Sequence, residues 1–410
     1  MELLHVYSLE EARALLLECT AAAPFGTEII GLPEAAGRVL AEDITAAENI
    51  PAFARSTVDG YAVRSADTHG CTESIPVFLD ILEEIQIGRA AARRVTPGAC
   101  AYVPTGGMLP EGADAVVMVE YCENLDEGTV AVGSPAAAGQ NVIQAGEDIR
   151  AGRPLLPRGT RLGGAQIGAL AAAGVAEASV VKPPTVWVLS TGDELVRPGR
   201  PLKPGQVYDI NTFALAAAAE KLGFAVTHTR ALPDSYREIH GAVREGMAKA
   251  DIVILSGGSS KGKKDMTGRI LDELASPGVF VHGLAVKPGK PTILAWDEPS
   301  RTILAGLPGH PAAALMVFQQ IFGWYWRQRT GERERPAAHA ALETNLPGAG
   351  GKTTFCLVEL LEGAEGLVAR PILGKSGLIT PMAVADGYIR IERNCEGLRQ
   401  GATVAVYPLS

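Results

Sequence analysis

The chain has 410 residues, too many for one ordinary hydrophobic core, so we expect two to four domains. Its 47% hydrophobic and 20% charged residues are typical of a globular protein and exclude long disordered tracts. The formal net charge of −9 argues against nucleic-acid binding, because that function needs an excess of Lys and Arg to neutralise phosphates.

The first twenty residues lack the basic segment of an export signal, and Ser8 with Glu11 forms a capping box that predicts a helix start. No later stretch is apolar enough to span a membrane. The six cysteines include no Cys-x-x-Cys pair and no His at metal-ligand spacing, which favours reduced thiols. We therefore expect a cytoplasmic protein without a membrane contact.

Residues 1–182 divide into an N-terminal part and an insertion. Apolar periodicity predicts helices at 10–22, 32–41 and 165–173, the last ending at Gly174. Short β-like runs between Pro and Gly turns predict strands at 74–83, 99–104, 115–120 and 129–132. We interpret 1–45 plus 140–182 as one N-terminal linker and dimer domain, and 46–139 as an inserted β domain.

Residues 183–330 alternate strands and helices. The expected strands are 185–190, 225–231, 251–256 and 301–305, and the expected helices are 212–222, 235–249, 267–274 and 312–326. Such alternation predicts a parallel sheet covered on both faces, with a binding crevice beyond the carboxyl ends of its strands. Residues 337–410 show alternating stretches at 354–360, 388–392 and 403–407, which predict a small C-terminal β-barrel or sheet.

Glycine-rich loops follow two of these predicted strands, one starting at Gly257 and one containing Pro308-Gly309-His310. Glycines between a strand and a helix let backbone N–H groups approach an anion. Neither loop matches a Walker A motif or Gly-x-Gly-x-x-Gly, so a nucleoside triphosphatase or a dinucleotide oxidoreductase is not indicated. The alternative is that these glycines only close tight turns.

Charged residues accompany these loops. Asp193 and Glu194 follow the strand at 185–190, and Asp234 follows the next one; such carboxylates suit Mg²⁺, or else they cap helices. Lys287 and Lys290 lie on a proline-rich turn that presents both ammonium groups to one anion, or else they are ordinary surface lysines. In the inserted zone, the segments around Asp59, Thr105 and Asp148 are only turn signals by spacing.

Together these segments resemble a known family. They are STVDGYAV (56–63), PTGGMLPEGADAVVMVE (104–120), GQNVIQAGEDI (139–149), STGDELVRPG (190–199), GGSSKGKKD (257–265), VKPGKP (286–291) and GLPGHP (306–311), with KSGL (375–378) nearer the end. In this order they are similar to the MoeA family of molybdopterin molybdenumtransferases, which is related to the E domain of gephyrin. The resemblance covers nearly the whole chain.

The resemblance implies an elongated homodimer of multi-domain subunits. Each subunit would combine a doubly wound, MogA-like α/β domain with a mostly β inserted domain, a helical and β N-terminal domain and a C-terminal β-barrel-like domain. The implied reaction inserts molybdate into adenylylated molybdopterin and releases AMP and molybdenum cofactor, assisted by Mg²⁺. A contact with molybdopterin adenylyltransferase is also implied. A tungstate-inserting paralogue, a non-catalytic molybdopterin-binding scaffold, an adenylyltransferase and a nucleotide-processing amidase are the alternative readings.

Carried over by position, the family's functional residues fall into three sets. The implied catalytic residues are Asp59, Thr105, Asp148, Glu194, Asp234, Lys287 and Lys290. The implied substrate-binding residues are Gly257, Gly258, Ser259, Asp265, Pro308, Gly309, His310 and Ser376. The implied metal ligands are Asp193, Glu194 and Asp234. The chain departs from the family pattern at Val58, where Met is usual, at Ser259 and Lys261, where Val is usual, and at His310, where Asn is usual.

Overall fold

The computed structural model describes residues 6–126, 128–257, 264–334 and 336–409. The first helix, α1 (Leu9–Cys19), begins at the predicted capping box: Ser8 Oγ accepts the Glu11 backbone N–H at 3.1 Å, and Glu11 Oε2 accepts that of Ser8 at 2.7 Å. Its apolar side, including Leu9 and Leu16, is buried in the core of the α/β region far along the chain.

The described residues between 27 and 182 form twelve strands and one α-helix. They are β1 (Thr27–Gly31), β2 (Ile44–Thr45), β3 (Arg55–Ser56), β4 (Gly60–Val63), β5 (Val77–Glu84), β6 (Ala99–Val103), β7 (Ala115–Met118), β8 (Cys122–Asn124), β9 (Thr129–Val132), β10 (Val142–Ile143), β11 (Pro154–Leu156), α2 (Gly164–Ala172) and β12 (Glu177–Val181). A six-stranded sheet has the order β7-β4-β6-β5-β9-β8. Strands β1, β2 and β3 precede that sheet in the chain, and β10, β11 and β12 follow it. The antiparallel pairs β1–β12, β2–β11 and β3–β10 connect these two segments to each other.

The helix predicted at 32–41 is wrong. Only a 3₁₀ turn, Leu32–Glu34, forms there, and Val39 and Leu40 instead make β-bridges with Arg161 and Val180. Pro33 suits only a helix start, and Gly37 adopts a φ of +78°, which ends helical geometry after little more than one turn.

Residues 183–330 form the α/β region. Its elements are β13 (Thr185–Thr191), β14 (Leu195–Val196), β15 (Val207–Tyr208), α3 (Asn211–Leu222), β16 (Ala225–Leu232), α4 (Tyr236–Met247), β17 (Ile252–Gly257), α5 (Lys264–Leu274), β18 (Pro277–His282), β19 (Val286–Lys287), β20 (Ile293–Asp297), β21 (Thr302–Leu307), α6 (Pro311–Phe318) and α7 (Trp324–Thr330). A π-helical turn, Gln319–Gly323, connects α6 directly to α7.

The central sheet has the order β16-β13-β17-β21-β20-β18. The four strands β16, β13, β17 and β21 are parallel, as predicted, whereas β20 runs antiparallel to both β21 and β18. The sequence did not indicate β18 or β20. Pro277 opens β18 and a bulge between Val279 and Val281 interrupts its pairing, so the usual strand pattern is broken.

Alternate side chains of the central strands enter two separate cores. Val186 and Val188 of β13 pack on one face of the sheet, with α1, α3 and α6, whereas Trp187 and Leu189 pack on the other face, with α4 and α5. Burial of both faces explains why these strands read as continuous apolar runs.

The last region forms a third six-stranded sheet, which also takes a strand from the α/β region. Its elements are β22 (Ala338–Leu342), β23 (Leu346–Pro347), β24 (Thr353–Gly363), β25 (Gly366–Ile372), α8 (Thr380–Val384), β26 (Gly387–Ile391), β27 (Gly397–Leu398) and β28 (Thr403–Val406). The main order is β19-β24-β25-β22-β28, and β26 pairs with β24. Because β19 lies beside β24, Val286 and Lys287 are held at the boundary between the two regions.

A buried polar chain also joins α1 to this last sheet. The Arg13 guanidinium, which lies over the Trp324 ring, donates to the Gln320 carbonyl from Nε at 3.0 Å and from Nη2 at 2.7 Å. Gln320 Nε2 in turn donates to the Tyr388 hydroxyl at 2.8 Å. Arg13 therefore caps a carbonyl in the π-helical turn, where the regular helical hydrogen-bond ladder is disturbed. Among the described residues no helix is long and apolar enough to cross a membrane.

Candidate active site

Three predicted acidic residues lie at the carboxyl ends of two neighbouring strands. β13 and β16 are parallel and end in register, Thr191 beside Leu232. Two residues further along each chain segment, Asp193 Oδ1 accepts the backbone N–H of Asp234 at 2.9 Å. The Glu194 carboxylate bends back over Gly192, where an added Cβ would lie 2.8 Å from Oε2. The fold thus places Asp193, Glu194 and Asp234 at one edge of the sheet.

Gly257 sits beside this acidic loop. It pairs with Thr191 in the sheet and has a φ of +150°, and a Cβ there would lie 2.3 Å from the Thr191 carbonyl oxygen. Only glycine fits this approach. The predicted ligand residues Gly258 and Ser259, together with the side chain of Asp265, lie outside the described residues.

Side chains at the start of α3 form hydrogen bonds with residues at or just after the ends of three strands, β13, β17 and β21. Asn211 Nδ2 donates to Ser256 Oγ and to the Gly309 carbonyl, both at 2.8 Å. Ser256 Oγ lies 3.1 Å from the Pro308 carbonyl, and Thr212 Oγ1 donates to Ser190 Oγ at 2.8 Å. Sequence reasoning missed Asn211. An Asn directly before a predicted helix, in the strand–loop–helix setting of residues 207–222, was the available signal.

The two lysines of the proline-rich turn are held by backbone packing as well as by proline. Gly289 has a φ of +120°, and a Cβ there would lie 2.3 Å from Val317 Cγ2 in α6. Thr292 Oγ1 donates to the Gly289 carbonyl at 2.7 Å, and the Lys290 carbonyl accepts the Leu284 N–H at 2.9 Å. The backbone is therefore fixed while both lysine side chains are exposed.

A cavity of about 840 Å³ lies between the α/β region and the C-terminal sheet. Six of the predicted site residues line it: Lys287, Lys290, Pro308, Gly309, His310 and Ser376. Sequence reasoning missed Lys352 and Lys375, which add two more ammonium groups. No Asp or Glu among the described residues lines the cavity, and none of these four lysines forms a salt bridge within the described chain.

The remaining wall of the cavity is apolar. Met316, Phe355, Leu373, Leu378 and Met382 contribute to it, and Cys356 adds a thiol whose pKa burial raises to about 11. A thiol of that pKa stays protonated at neutral pH. The cavity therefore combines uncompensated positive charge with a surface suited to a planar or apolar group.

His310 and Ser376 meet at the cavity from opposite regions. His310 immediately precedes α6, and Ser376 lies between β25 and α8. His310 Nδ1 is 2.8 Å from Ser376 Oγ, and the Ser376 carbonyl accepts the Ala312 N–H at 3.3 Å.

Asp59 and Thr105 form a separate pair beside the inserted sheet. Asp59 Oδ1 accepts the Thr105 backbone N–H at 2.7 Å and lies 3.1 Å from its hydroxyl. Asp148 is exposed on the returning segment, where its N–H donates to the Ile50 carbonyl at 3.1 Å. No hydrogen bond or ion pair between described residues connects these three with the cavity.

Comparison with known proteins identifies the family to which the chain is similar. Its sequence matches the MoeA N-terminal region (domain I and II) over residues 7–174, a probable molybdopterin binding domain over 187–325, and the MoeA C-terminal region (domain IV) over 339–409. It is 33% identical to the molybdopterin molybdenumtransferase of Haemophilus influenzae, with 98% of both chains covered.

Solved structures agree with this match. Two structures of molybdopterin biosynthesis MoeA proteins from Pyrococcus horikoshii superimpose with TM-scores of 0.78 and 0.74, at 35% and 28% identity. They cover 99% and 98% of this chain and all of their own chains. The chain belongs to the MoeA family, and the predicted fold class, a MogA-like α/β domain combined with β domains, is confirmed.

Proposed function

We propose that this chain is a molybdopterin molybdenumtransferase: it inserts molybdate into adenylylated molybdopterin and releases AMP and molybdenum cofactor. The observation that carries the proposal is the cavity beside the sheet edge, which has four lysines and no carboxylate among its described lining residues. In a chain with a net charge of −9, such a site recruits an anion by local charge alone. The relative from Haemophilus influenzae named above carries this activity in its name.

The cavity supplies binding and orientation. Lys287 and Lys290 neutralise phosphate or oxyanion charge, and the backbone packing at Gly289 keeps their turn in place. A preorganised cation costs little reorganisation when charge develops during the reaction. The apolar wall around Phe355 takes the face of a ring system.

We assign Mg²⁺ to Asp193, Glu194 and Asp234. Oxygen donors are the ligands that Mg²⁺ prefers, and it commonly uses one or two carboxylates with substrate phosphates rather than a complete protein cage, so these residues fit. When bound, the ion would offset charge on the pyrophosphate bridge of the substrate. No group of three or more His, Cys, Asp or Glu among the described residues is arranged to hold a metal ion, these three included, so one or two of them would bind Mg²⁺ and substrate phosphates and waters would supply the other ligands.

We further propose a cytoplasmic homodimer in which the two clusters act together. Asp59, Thr105 and Asp148 lie in a different part of the subunit from the lysine cavity, and all three are exposed. A partner subunit that presents them to the cavity would complete the site. The free state of all six cysteines supports a reducing compartment. Delivery of the adenylylated substrate would involve contact with molybdopterin adenylyltransferase.

The test is AMP release from adenylylated molybdopterin in the presence of Mg²⁺ and either molybdate or tungstate. We expect oxyanion-dependent release, with faster release identifying the preferred oxyanion. Lys290→Met should reduce it at least ~10-fold, because a charge-assisted contact is lost. Lys203→Met, which removes an exposed lysine outside the cavity lining, serves as the control.

Two results would change the assignment. Tight substrate binding without AMP release would support the scaffold alternative instead of the transferase. Full activity of Lys290→Met would show that the cavity does not hold the reacting anion.

A further inference from the structure

Asn211, at the start of α3, is only 8% exposed, and one of its two polar atoms has no partner. Its Nδ2 donates to Ser256 Oγ and to the Gly309 carbonyl, both at 2.8 Å. Because a carbonyl oxygen can only accept, the Gly309 contact fixes which end of the amide is the nitrogen. Oδ1 is therefore turned away from both partners, and it is buried without a hydrogen bond to any described residue.

The side chain of Asn211 is not needed to cap α3, which is the ordinary role of an Asn at a helix start. Asp209 has that role instead, because its Oδ1 accepts the Thr212 N–H at 3.1 Å. A buried acceptor without a partner destabilises a fold by about as much as one or two hydrogen bonds stabilise it. The two bonds of Nδ2 and the unpartnered Oδ1 therefore nearly cancel, and Asn211 contributes little net stability.

The hydrogen bonds of Asn211 and Ser256 hold two consecutive carbonyl groups. Asn211 binds the Gly309 carbonyl directly, and Ser256 Oγ donates to the Pro308 carbonyl at 3.1 Å. In a trans peptide the N–H points opposite to the C=O, so the N–H groups of Gly309 and His310 point away from Asn211. Neither N–H has a hydrogen-bond partner among the described residues, and Pro308, Gly309 and His310 all line the lysine cavity.

The orientation of these two peptide groups matters because a Pro-Gly sequence allows either orientation. Glycine adopts backbone angles on both sides of the map, and the two common turns with proline before glycine differ by a flip of the peptide between them. A flipped peptide would place a carbonyl oxygen where an N–H now lies. An anion in the cavity would then lose a donor and meet a negative dipole end.

We propose that Asn211 is a positioning residue of the lysine cavity: its Nδ2 prevents the peptide groups that follow Pro308 and Gly309 from flipping, and the unpartnered Oδ1 is the energetic cost of that orientation. The anion in the cavity rests on the proposed function; the network around Asn211 does not. A residue of this kind is dispensable for folding and necessary for anion binding.

The first experiment replaces Asn211 by leucine, which has a similar volume and no polar atom. The melting temperature of Asn211→Leu should stay within ~2 °C of the wild type. Its affinity for inorganic pyrophosphate, measured by calorimetry, should fall ~10-fold or more. The matched control, Thr302→Val, removes a buried hydrogen bond to the Ala250 carbonyl, 3.1 Å long, at the opposite end of β21. It should lower the melting temperature by ~2–4 °C and leave pyrophosphate affinity unchanged.

The second experiment uses pH to restore the donor. In Asn211→Asp, a protonated carboxyl group can donate to the Gly309 carbonyl, whereas a carboxylate cannot. Burial should raise the pKa of this carboxyl group. At about pH 5 the variant should bind pyrophosphate within ~3-fold of the wild type, and at about pH 8 it should bind ~10-fold more weakly. Comparison with the wild type at each pH removes the ionisation of pyrophosphate itself from the result.

Four results would overturn the inference. They are a wild type that does not bind pyrophosphate, unchanged pyrophosphate affinity in Asn211→Leu, a melting temperature of Asn211→Leu as low as that of Thr302→Val, and a pH-independent affinity ratio for Asn211→Asp. Failure of the proposed function looks different. A protein whose pyrophosphate binding depends on Asn211 but which releases no AMP from adenylylated molybdopterin would retain the inference and reject the transferase.

Discussion

Replacing Gly289 by alanine tests how the lysine turn is held. The added methyl group would lie 2.3 Å from Cγ2 of Val317, well inside van der Waals contact. Val317 is 2% exposed and β-branched, so it has little freedom to rotate away. The alanine would also keep a φ of +120°, which L-residues rarely adopt.

The two costs can be estimated separately. A non-glycine residue in a sparsely populated backbone region costs about 1–3 kcal/mol. Overpacking of a filled core by one methyl group costs about another 1–3 kcal/mol. Gly289→Ala should therefore lower the free energy of unfolding by ~2–6 kcal/mol, or else move the turn that carries Lys287 and Lys290.

Gly283 provides the matched control. Its φ is +100°, but a Cβ there would have no atom nearer than 3.8 Å. Gly283→Ala should show only the backbone cost, ~1–3 kcal/mol. In a double-mutant cycle, Val317→Ala should relieve the clash of Gly289→Ala with a coupling of ~1–3 kcal/mol.

The assay combines urea unfolding with AMP release. Displacement of the two ammonium groups by about 1 Å would reduce the rate ~10²-fold in Gly289→Ala. Equal stability of the Gly289→Ala and Gly283→Ala proteins would refute the packing argument. Wild-type activity of a destabilised Gly289→Ala protein would show that the position of the turn does not control the reaction.

Three further predictions follow from other parts of the molecule. Asp59→Asn keeps an oxygen for the Thr105 contacts but loses its charge. The free energy of unfolding should therefore change by less than ~0.5 kcal/mol, while the rate of AMP release falls ~100-fold or more. Full activity of this variant would show that Asp59 is not part of the active site. Arg13→Met leaves the Gln320 carbonyl without its charged donor and should lower the free energy of unfolding, measured with urea, by ~2–4 kcal/mol. Arg13→Lys should have an intermediate effect. Equal stability of Arg13→Met and the wild type would contradict the capping role. Burial raises the pKa of Cys100 to about 12 from an ordinary 9.0, so above pH 9 the folded state holds a proton that the unfolded state has lost. The free energy of unfolding should therefore fall between pH 9 and 12, and less steeply in Cys100→Val.

The sheet edge was predictable because buried parallel strands have a simple sequence pattern. The runs ending at Thr191 and Gly257 are apolar throughout, and parallel strands must end at one edge, so the loops that follow them become neighbours. The order of the motifs along the chain then indicated the MoeA family, and one of those motifs identified the lysine turn. The residue boundaries of the domains and the roles assigned to the site residues stay predictions.

Features that depend on distant pairing were not predictable. Lys352 has ordinary local surroundings in the sequence, and the KSGL motif that contains Lys375 gave no sign that this lysine faces a cavity. Both residues line the cavity because the C-terminal sheet lies beside the α/β region, where β19 pairs with β24. Asn211 is defined by contacts with Ser256 and Gly309, which lie 45 and 98 residues further along the chain. Local periodicity carries no information about such partners.

The placement of α1 also bears on synthesis. Arg13 bonds to Gln320, 307 residues later in the chain. At about 5–20 residues per second, translation from one partner to the other takes about 15–60 s, and during that time α1 lacks the part of its core that α6, the π-helical turn and α7 supply. The first helix to leave the ribosome is therefore among the last to be buried. A nascent chain halted before residue 311 should expose Leu9 and Leu16 to chaperones, because α6 and α7 have not yet been made.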